Sequence, residues 1–267
     1  MYLPAHFTPS DDDVLALLAR IGAADLVTMT ARGMLATMLP LLYDAPGSRG
    51  ANTSGSSDGT SAGAGTSDST HQGRGSLVGH LARGNDQWRE PVIGEALVIV
   101  RGPDAYVSPS WYATKREHGR VVPTWNYVTA HLYGQLVIHD DAAWVETLVR
   151  RLTAHHEAGR GEPWRVDDAP VKYIAGQLRA IVGVEVLVTR IEAKFKLSQN
   201  RSTADIEGVA AGLGALGDDA MAEAMRGSGA ARGPGATLRS GATLRSGATR
   251  DPEAPGESEP PRPGDPS

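Results

Sequence analysis

The sequence predicts a mostly β protein with peripheral helices (α+β), built on an antiparallel barrel. Three observations point there. Roughly six to eight short segments alternate apolar and polar residues with period two and end at Gly, Pro, Asn or Asp. Helical periodicity is confined to a few stretches, and it does not alternate with strands as a parallel sheet requires. The aromatic residues, only 5% of the 267-residue chain, gather in one window: Tyr106, Trp111, Tyr112, Trp125, Tyr127 and Tyr133 all lie between Gly102 and Gly134.

The elements follow in order. Ser10 before Asp11, Asp12 and Asp13 is a helix start, because a hydroxyl caps free N–H groups and acids favour the positive end of the helix dipole. Val14, Leu15, Leu17, Leu18 and Ile21 supply the apolar stripe, and Gly22 stops the helix. Asp25–Thr30 and Met34–Leu42 read as two strands around the turn Ala31-Arg32-Gly33. Leu77–Leu81, Glu95–Arg101 and Ala105–Ser108 are further strands. The longest β candidate runs from Val121 to Ile138, with a bend expected at Gly134. Its alternation puts Trp125, Tyr127, Thr129, His131 and Tyr133 on one face, a ligand or interface candidate, and Asn126, Val128, Ala130 and Leu132 on a core face. Asp140 opens a helix to about Glu157, a short helix follows near Val171–Leu178, then a strand Val182–Arg190 and a last helix from Ser202.

Two segments lack the apolar residues a core needs. Residues 44–75 are mostly Gly, Ser, Thr, Ala and Asp, a flexible insertion between two strands. Residues 218–267 read as a disordered tail, with G-A-T-L-R-S at Gly235–Ser240 repeated at Gly241–Ser246. The folded unit is then one domain made of residues 1–43 and 76–217.

Composition excludes several classes. With no cysteine there is no disulfide framework, thiolate metal site or cysteine nucleophile. The histidines form no H-x-x-x-H or H-E-x-x-H pair, so no metal is expected, and no Walker loop or dinucleotide-binding glycine fingerprint occurs. No basic leader precedes an apolar run and no stretch approaches the ~20 apolar residues of a membrane span. A cytoplasmic protein without membrane contact is the expectation. A net charge of −5 argues against strong general affinity for nucleic acid.

Three stretches have chemistry to offer. Gly79-His80-Leu81-Ala82-Arg83-Gly84-Asn85 ends a strand and opens a turn, where His80, Arg83, the Asn85 side chain and free N–H groups suit a phosphate; an ordinary strand-to-helix turn is the alternative. Lys194 to Ser202 sets two lysines, an arginine and two amides around a helix start, an anion site or a solvated strand exit. Thr37, in Ala36-Thr37-Met38-Leu39-Pro40, offers a hydroxyl beside exposed backbone. The aromatic window suits a flat polar heterocycle, a subunit interface or a hairpin core.

Together, M-Y-L-P-A-H-F, A-T-M-L-P-L-L, G-H-L-A-R-G-N-D-Q-W, G-P-D-A-Y-V-S-P-S-W-Y, V-P-T-W-N-Y, H-L-Y-G and K-F-K-L-S-Q-N-R-S closely resemble the PaiB family, also called FMN-binding negative transcriptional regulators. The resemblance spans residues 1 to about 215, broken by the insertion. It implies an FMN-binding split β-barrel and a homodimer with FMN near the subunit interface. On that analogy His80, Ala82, Arg83 and Asn85 surround the phosphate, Thr37 lines the isoalloxazine ring, Trp111, Trp125 and Asn126 wall the pocket, and Lys196, Gln199 and Arg201 close it. The family usually has histidine where this chain has Met38, which leaves no role for a histidine there. The resemblance implies a negative regulator of gene expression with a DNA or regulatory protein partner. A flavin-dependent oxidoreductase, like flavin reductases and pyridoxamine-phosphate oxidases, and a flavin or tetrapyrrole-type binding module are the alternatives.

Overall fold

The computed structural model describes residues 1–47 and 73–230. Most of the insertion and the repeat-bearing tail therefore lie outside the described residues. Six antiparallel strands close on themselves in the order β1-β2-β3-β6-β5-β4. They are β1 (Ala23–Thr30), β2 (Gly33–Asp44), β3 (Ser76–Ala82), β4 (Ala96–Val107), β5 (Thr124–His139) and β6 (Ile181–Lys196). The expected mostly β architecture with peripheral helices is the one observed. The two strands expected at 95–101 and 105–108 are one, β4, kinked by an irregularity between Arg101 and Asp104. β6 runs six residues past its expected end at Arg190, because Ile191, Ala193 and Phe195 continue the inward-facing apolar row.

β5 holds the sheet together. It pairs with β4 from Thr124 to Gly134 and with β6 from Tyr127 to His139. Its register shifts at Tyr133/Gly134, where a side chain on Gly134 would meet the Leu187 carbonyl at 2.1 Å. The expected bend is there, and only glycine admits it. The expected two faces are there as well: Asn126, Val128, Ala130 and Leu132 are buried, and Trp125 is half-exposed. The ring closes through a short seam, Asp25–Val27 against Leu97–Ile99, helped by an Arg101–Asp25 ion pair at 2.8 Å.

Inside the ring lies one core, with Leu26, Leu41, Leu77, Leu81, Val98 and Leu132 at its centre. Helix α1 (Asp11–Ala19) starts as the sequence reads: Ser10 and Asp13 form a reciprocal capping box. A four-residue helix, α2 (Lys115–His118), links β4 to β5. Helix α3 (Ala142–Glu157) is capped by Asp141 rather than by Asp140, and it covers the outer face of β2, β3 and β6 through Leu148 and Leu152. Its Trp144 stacks on His139 with ring centroids 3.9 Å apart and fills the notch left by Gly183, where a Cβ would sit 2.2 Å from the indole. Helix α4 (Val171–Leu178) precedes β6.

The chain after 217 is not all tail. Helices α5 (Thr203–Ala215) and α6 (Asp219–Ala230) form a second core with Val107, Tyr112, Val128 and Leu197. Met221 and Met225 of α6 are fully buried. The segment opens the stretch expected as a tail, and its few apolar residues recur at helical spacing (221, 222, 225), which compositional reading overlooks. Asp205 joins this core to the aromatic window. Burial pushes its carboxyl up, but hydrogen bonds from the Thr114 N–H and hydroxyl and from Ser202, with the Arg201 charge, hold it below the usual range.

Two predictions follow from this packing. Gly183→Ala displaces Trp144 and costs about 1–3 kcal/mol, read as a lower thermal midpoint. Because the Asp205 carboxyl is depressed in the folded state, its stabilisation is complete above the unfolded carboxylate range and is lost as pH falls through the folded value. Acid titration of the thermal midpoint below about pH 5 is steeper in the native protein than in Asp205→Asn; equal slopes contradict the assignment.

Candidate functional site

The candidate residues fall into two groups at opposite ends of β5. At the first end, β3 runs out through His80 and Ala82 into a turn, Asp86–Trp88, capped by Asn85. The Asn85 Oδ1 accepts from the Gln87 N–H at 2.9 Å, and its Nδ2 donates to the Thr37 hydroxyl at 2.9 Å. The Thr37 O–H proton remains available to a ligand. Below it Gln87 is buried, donating to Leu26, Thr28 and Leu35, while its Oε1 has no partner among the described residues. His80 is half-buried on the outer face, and burial pushes its imidazole below the usual range.

Arg83 is present at this end but its guanidinium is engaged. Nε donates to the Arg179 carbonyl at 2.9 Å, Nη1 and Nη2 grip Asp140 at 3.0 and 2.5 Å, and Nη2 also reaches the Ile181 carbonyl at 3.1 Å. The Arg83 hydrogen bond holds the Asp140 carboxyl below its usual range. Arg83 thus ties the ends of β3, β5 and α4 together. It offers a phosphate little without yielding Asp140.

At the second end Trp125, Asn126, Lys196, Gln199, Arg201 and Trp111 surround the start of β5 and the exit of β6. Trp125 is 49% exposed and Tyr106 is 48% exposed, edge to face at 6.2 Å. Asp104 accepts from the Trp125 indole N–H at 3.1 Å, which fixes the ring plane. Lys196 donates to the Trp125 carbonyl at 2.6 Å and to the Thr124 hydroxyl. Burial, and then the charges of Lys194 and Arg201, hold its ammonium below the usual lysine range. Lys194 is ringed by Tyr2, Phe7 and Tyr127, each 5.7–5.8 Å from its nitrogen, and Arg201 lies over the Tyr112 ring at 4.8 Å.

Trp111, Asn126 and Gln199 contribute differently from expectation. The Trp111 indole packs on Gly212 of α5, where a Cβ would lie 2.5 Å from the ring. Asn126 is fully buried under α6, and Gln199 spends its amide on the Leu197 N–H and the Phe195 carbonyl. All three build the floor rather than the mouth. Sequence reading already placed Tyr106 in the aromatic window and Lys194 and Ser198 in the 194–202 stretch; it missed the left-handed turn at Ser198 and the pairing of Asp140 with Arg83. The alternation of β6, continued past Arg190, puts Lys194 and Lys196 in one outer row. No sequence signal shows that Asp140 occupies Arg83.

The flavin implied by the resemblance fits this second end. An aromatic wall, three cations with no ion pair among the described residues, and a buried Tyr112 hydroxyl lacking a partner there form a donor set for an anion carrying a flat ring. From Trp125 to His139, β5 runs a contour of about 45 Å at roughly 3.3 Å per residue, with the bend at Gly134 between.

The family model described as "Putative FMN-binding domain" matches residues 1–190. An uncharacterised protein of Emericella nidulans is 30% identical over 252 residues, covering 82% of this chain and 93% of that protein. The protease synthase and sporulation protein PAI 2 of Bacillus subtilis is 39% identical over 130 residues, 48% of this chain and 60% of that protein. Among solved structures, a FAD and heme binding protein from Mycobacterium smegmatis aligns over 78% of this chain and 80% of that one, with 17% identity and a TM-score of 0.45. By the span of the family model and the near full-length relative, the chain belongs to the PaiB-like FMN-binding family.

Proposed function

We propose that the protein is an FMN-binding regulator of gene expression acting as a homodimer. Each flavin lies between the Trp125–Lys196–Arg201 end of one copy and the Thr37–Asn85 end of a second. The observation that carries this reading is the cation group beside the half-exposed Trp125, a surface shaped for an aromatic anion. The two groups sit on different strands, with Thr37 of β2 opposite Leu26 of β1 and Lys196 of β6 opposite Tyr127 of β5, and we assign the Thr37–Asn85 residues to a flavin held by a second copy.

The outer sheet face supplies a surface for that copy. Met29 pairs across the strands with Met34, and Val27 with Ala36. Met34 and Met38 are each 71% exposed, and Leu97 and Ile99 extend the same face onto β4. A row of apolar side chains on a face that no helix among the described residues covers is an interface signature. The second copy is the occupant that also brings the two flavin-binding ends together.

When bound, the flavin supplies a redox-active, planar ring. The chain's own groups do the rest: Lys196 and Arg201 neutralise the phosphate, Trp125 covers one ring face, and the Thr37 hydroxyl donates at the rim. The regulatory output is supported by the name of the Bacillus subtilis relative, which concerns protease synthesis and sporulation. The acidic net charge of −5 favours a regulatory protein partner, or DNA held by a local patch. The open flank of Trp125 leaves room for a second planar molecule, which favours a second reading, a flavin-dependent oxidoreductase.

Lys196→Gln is expected to cost about 1.5–3 kcal/mol of FMN affinity, the size of a charge-assisted hydrogen bond. The Lys196 ammonium sits below the usual lysine range and binds an anion only while protonated. FMN affinity should therefore weaken as pH rises, starting below the ordinary lysine value of about 10.4, and the variant should lack that limb. A gel-shift assay in low salt, with and without FMN, separates the outputs: a flavin-dependent shift shows direct DNA binding, and no shift moves the regulator reading to a protein partner. Anaerobic bleaching of the flavin by NADH or NADPH would establish the oxidoreductase reading instead.

A further inference from the structure

We propose that Ser198 and helix α6 form a positioning device: a left-handed turn, locked from beneath by Asn126 and Met225, holds Lys196 and Arg201 together at the anion site. The proposal rests on the flavin-binding reading. Ser198 has φ +65° and is the one non-glycine residue with positive φ among the described residues. L-residues avoid that region, and where they occupy it the surroundings enforce it. Ser198 is 4% exposed.

The enforcing partners are visible. The Asn126 Nδ2 donates to the Ser198 hydroxyl at 3.0 Å, and that hydroxyl donates back to Asn126 Oδ1 at 3.3 Å. The same Nδ2 reaches the Met225 sulfur at 3.4 Å, and both Asn126 and Met225 are fully buried. The turn closes with the Leu197 N–H on Gln199 Oε1 at 2.8 Å and the Arg201 N–H on the Ser198 carbonyl at 2.9 Å. The chain thereby reverses between Lys196 and Arg201, five residues apart, and sets two like charges near each other and near Lys194. Repulsion opposes that arrangement until an anion arrives. Of the lock, Ser198 and Met225 lie beyond residues 1–190, and Asn126 lies within them.

The test uses the full chain, with FMN and riboflavin as probes, read by flavin fluorescence titration. Riboflavin lacks the phosphate, so it reports on the ring pocket alone. Ser198→Gly keeps the turn conformation accessible but removes the hydroxyl. It should weaken FMN binding roughly tenfold and leave riboflavin nearly unchanged. NMR titration of the Lys196 ammonium should move upward towards the ordinary lysine range as Arg201 relaxes away. Met225→Leu, which preserves volume, should shift both readouts in the same direction by a smaller factor, and it serves if Ser198→Gly does not fold. Equal losses for FMN and riboflavin with an unmoved Lys196 titration would overturn the proposal, since a merely structural turn gives that result. If the native protein binds neither flavin, the flavin reading fails separately. The Lys196 titration then decides alone: an upward shift in the variants upholds the device, and no shift rejects it.

Discussion

The molecule depends on the pairing of β5 along both edges. Sixteen residues long, this strand lies between β4 and β6 and carries the closure of the sheet from one end to the other. Its length sets where chemistry can occur. One row of its side chains fills the core, and the other faces outward under the N-terminal residues and the lysines of β6. A strand this long must bend to stay in a closed sheet. Gly134 supplies the bend at the point where the Leu187 carbonyl leaves no room for a side chain.

The two ends of β5 are built by different physics. At the His139 end, charge is spent on structure: Arg83 is saturated by Asp140 and two carbonyls, and Trp144 stacks on His139 over Gly183. At the Trp125 end, charge is left in excess. Lys196 is held against the repulsion of Lys194 and Arg201, and a left-handed Ser198 is forced by a buried amide. Strain and like charges of this kind persist where the surrounding fold over-determines them. The burial of α5 and α6 beside that end provides the rigidity.

Much of this was legible in the sequence. The period-two pattern of β5 placed Asn126 in the core and Trp125 outside it, and Ser10 announced α1 through its following acids. The motif order gave the family and its cofactor. The sequence could not show that Arg83 already has a partner, because Asp140 lies 57 residues away and no local rule links them. For Asn126 the alternation, which put it on the core face, was the better guide than the resemblance, which put it in the pocket wall. The helix at 219–230 was hidden because glycine and alanine dominate its composition, while its stability comes from three residues on one face.

The central claim is that this chain carries a flavin at the Trp125–Lys196 end. The most direct measurement is the absorption spectrum of the protein purified with ample FMN and passed through gel filtration, followed by denaturation to release and quantify the flavin. The account predicts flavin retained in a dimeric fraction at one per chain, with Trp125→Ala and Lys196→Gln eluting colourless at the same volume. A colourless native protein that takes up no added FMN, or one in which those variants retain the flavin in full, would contradict it.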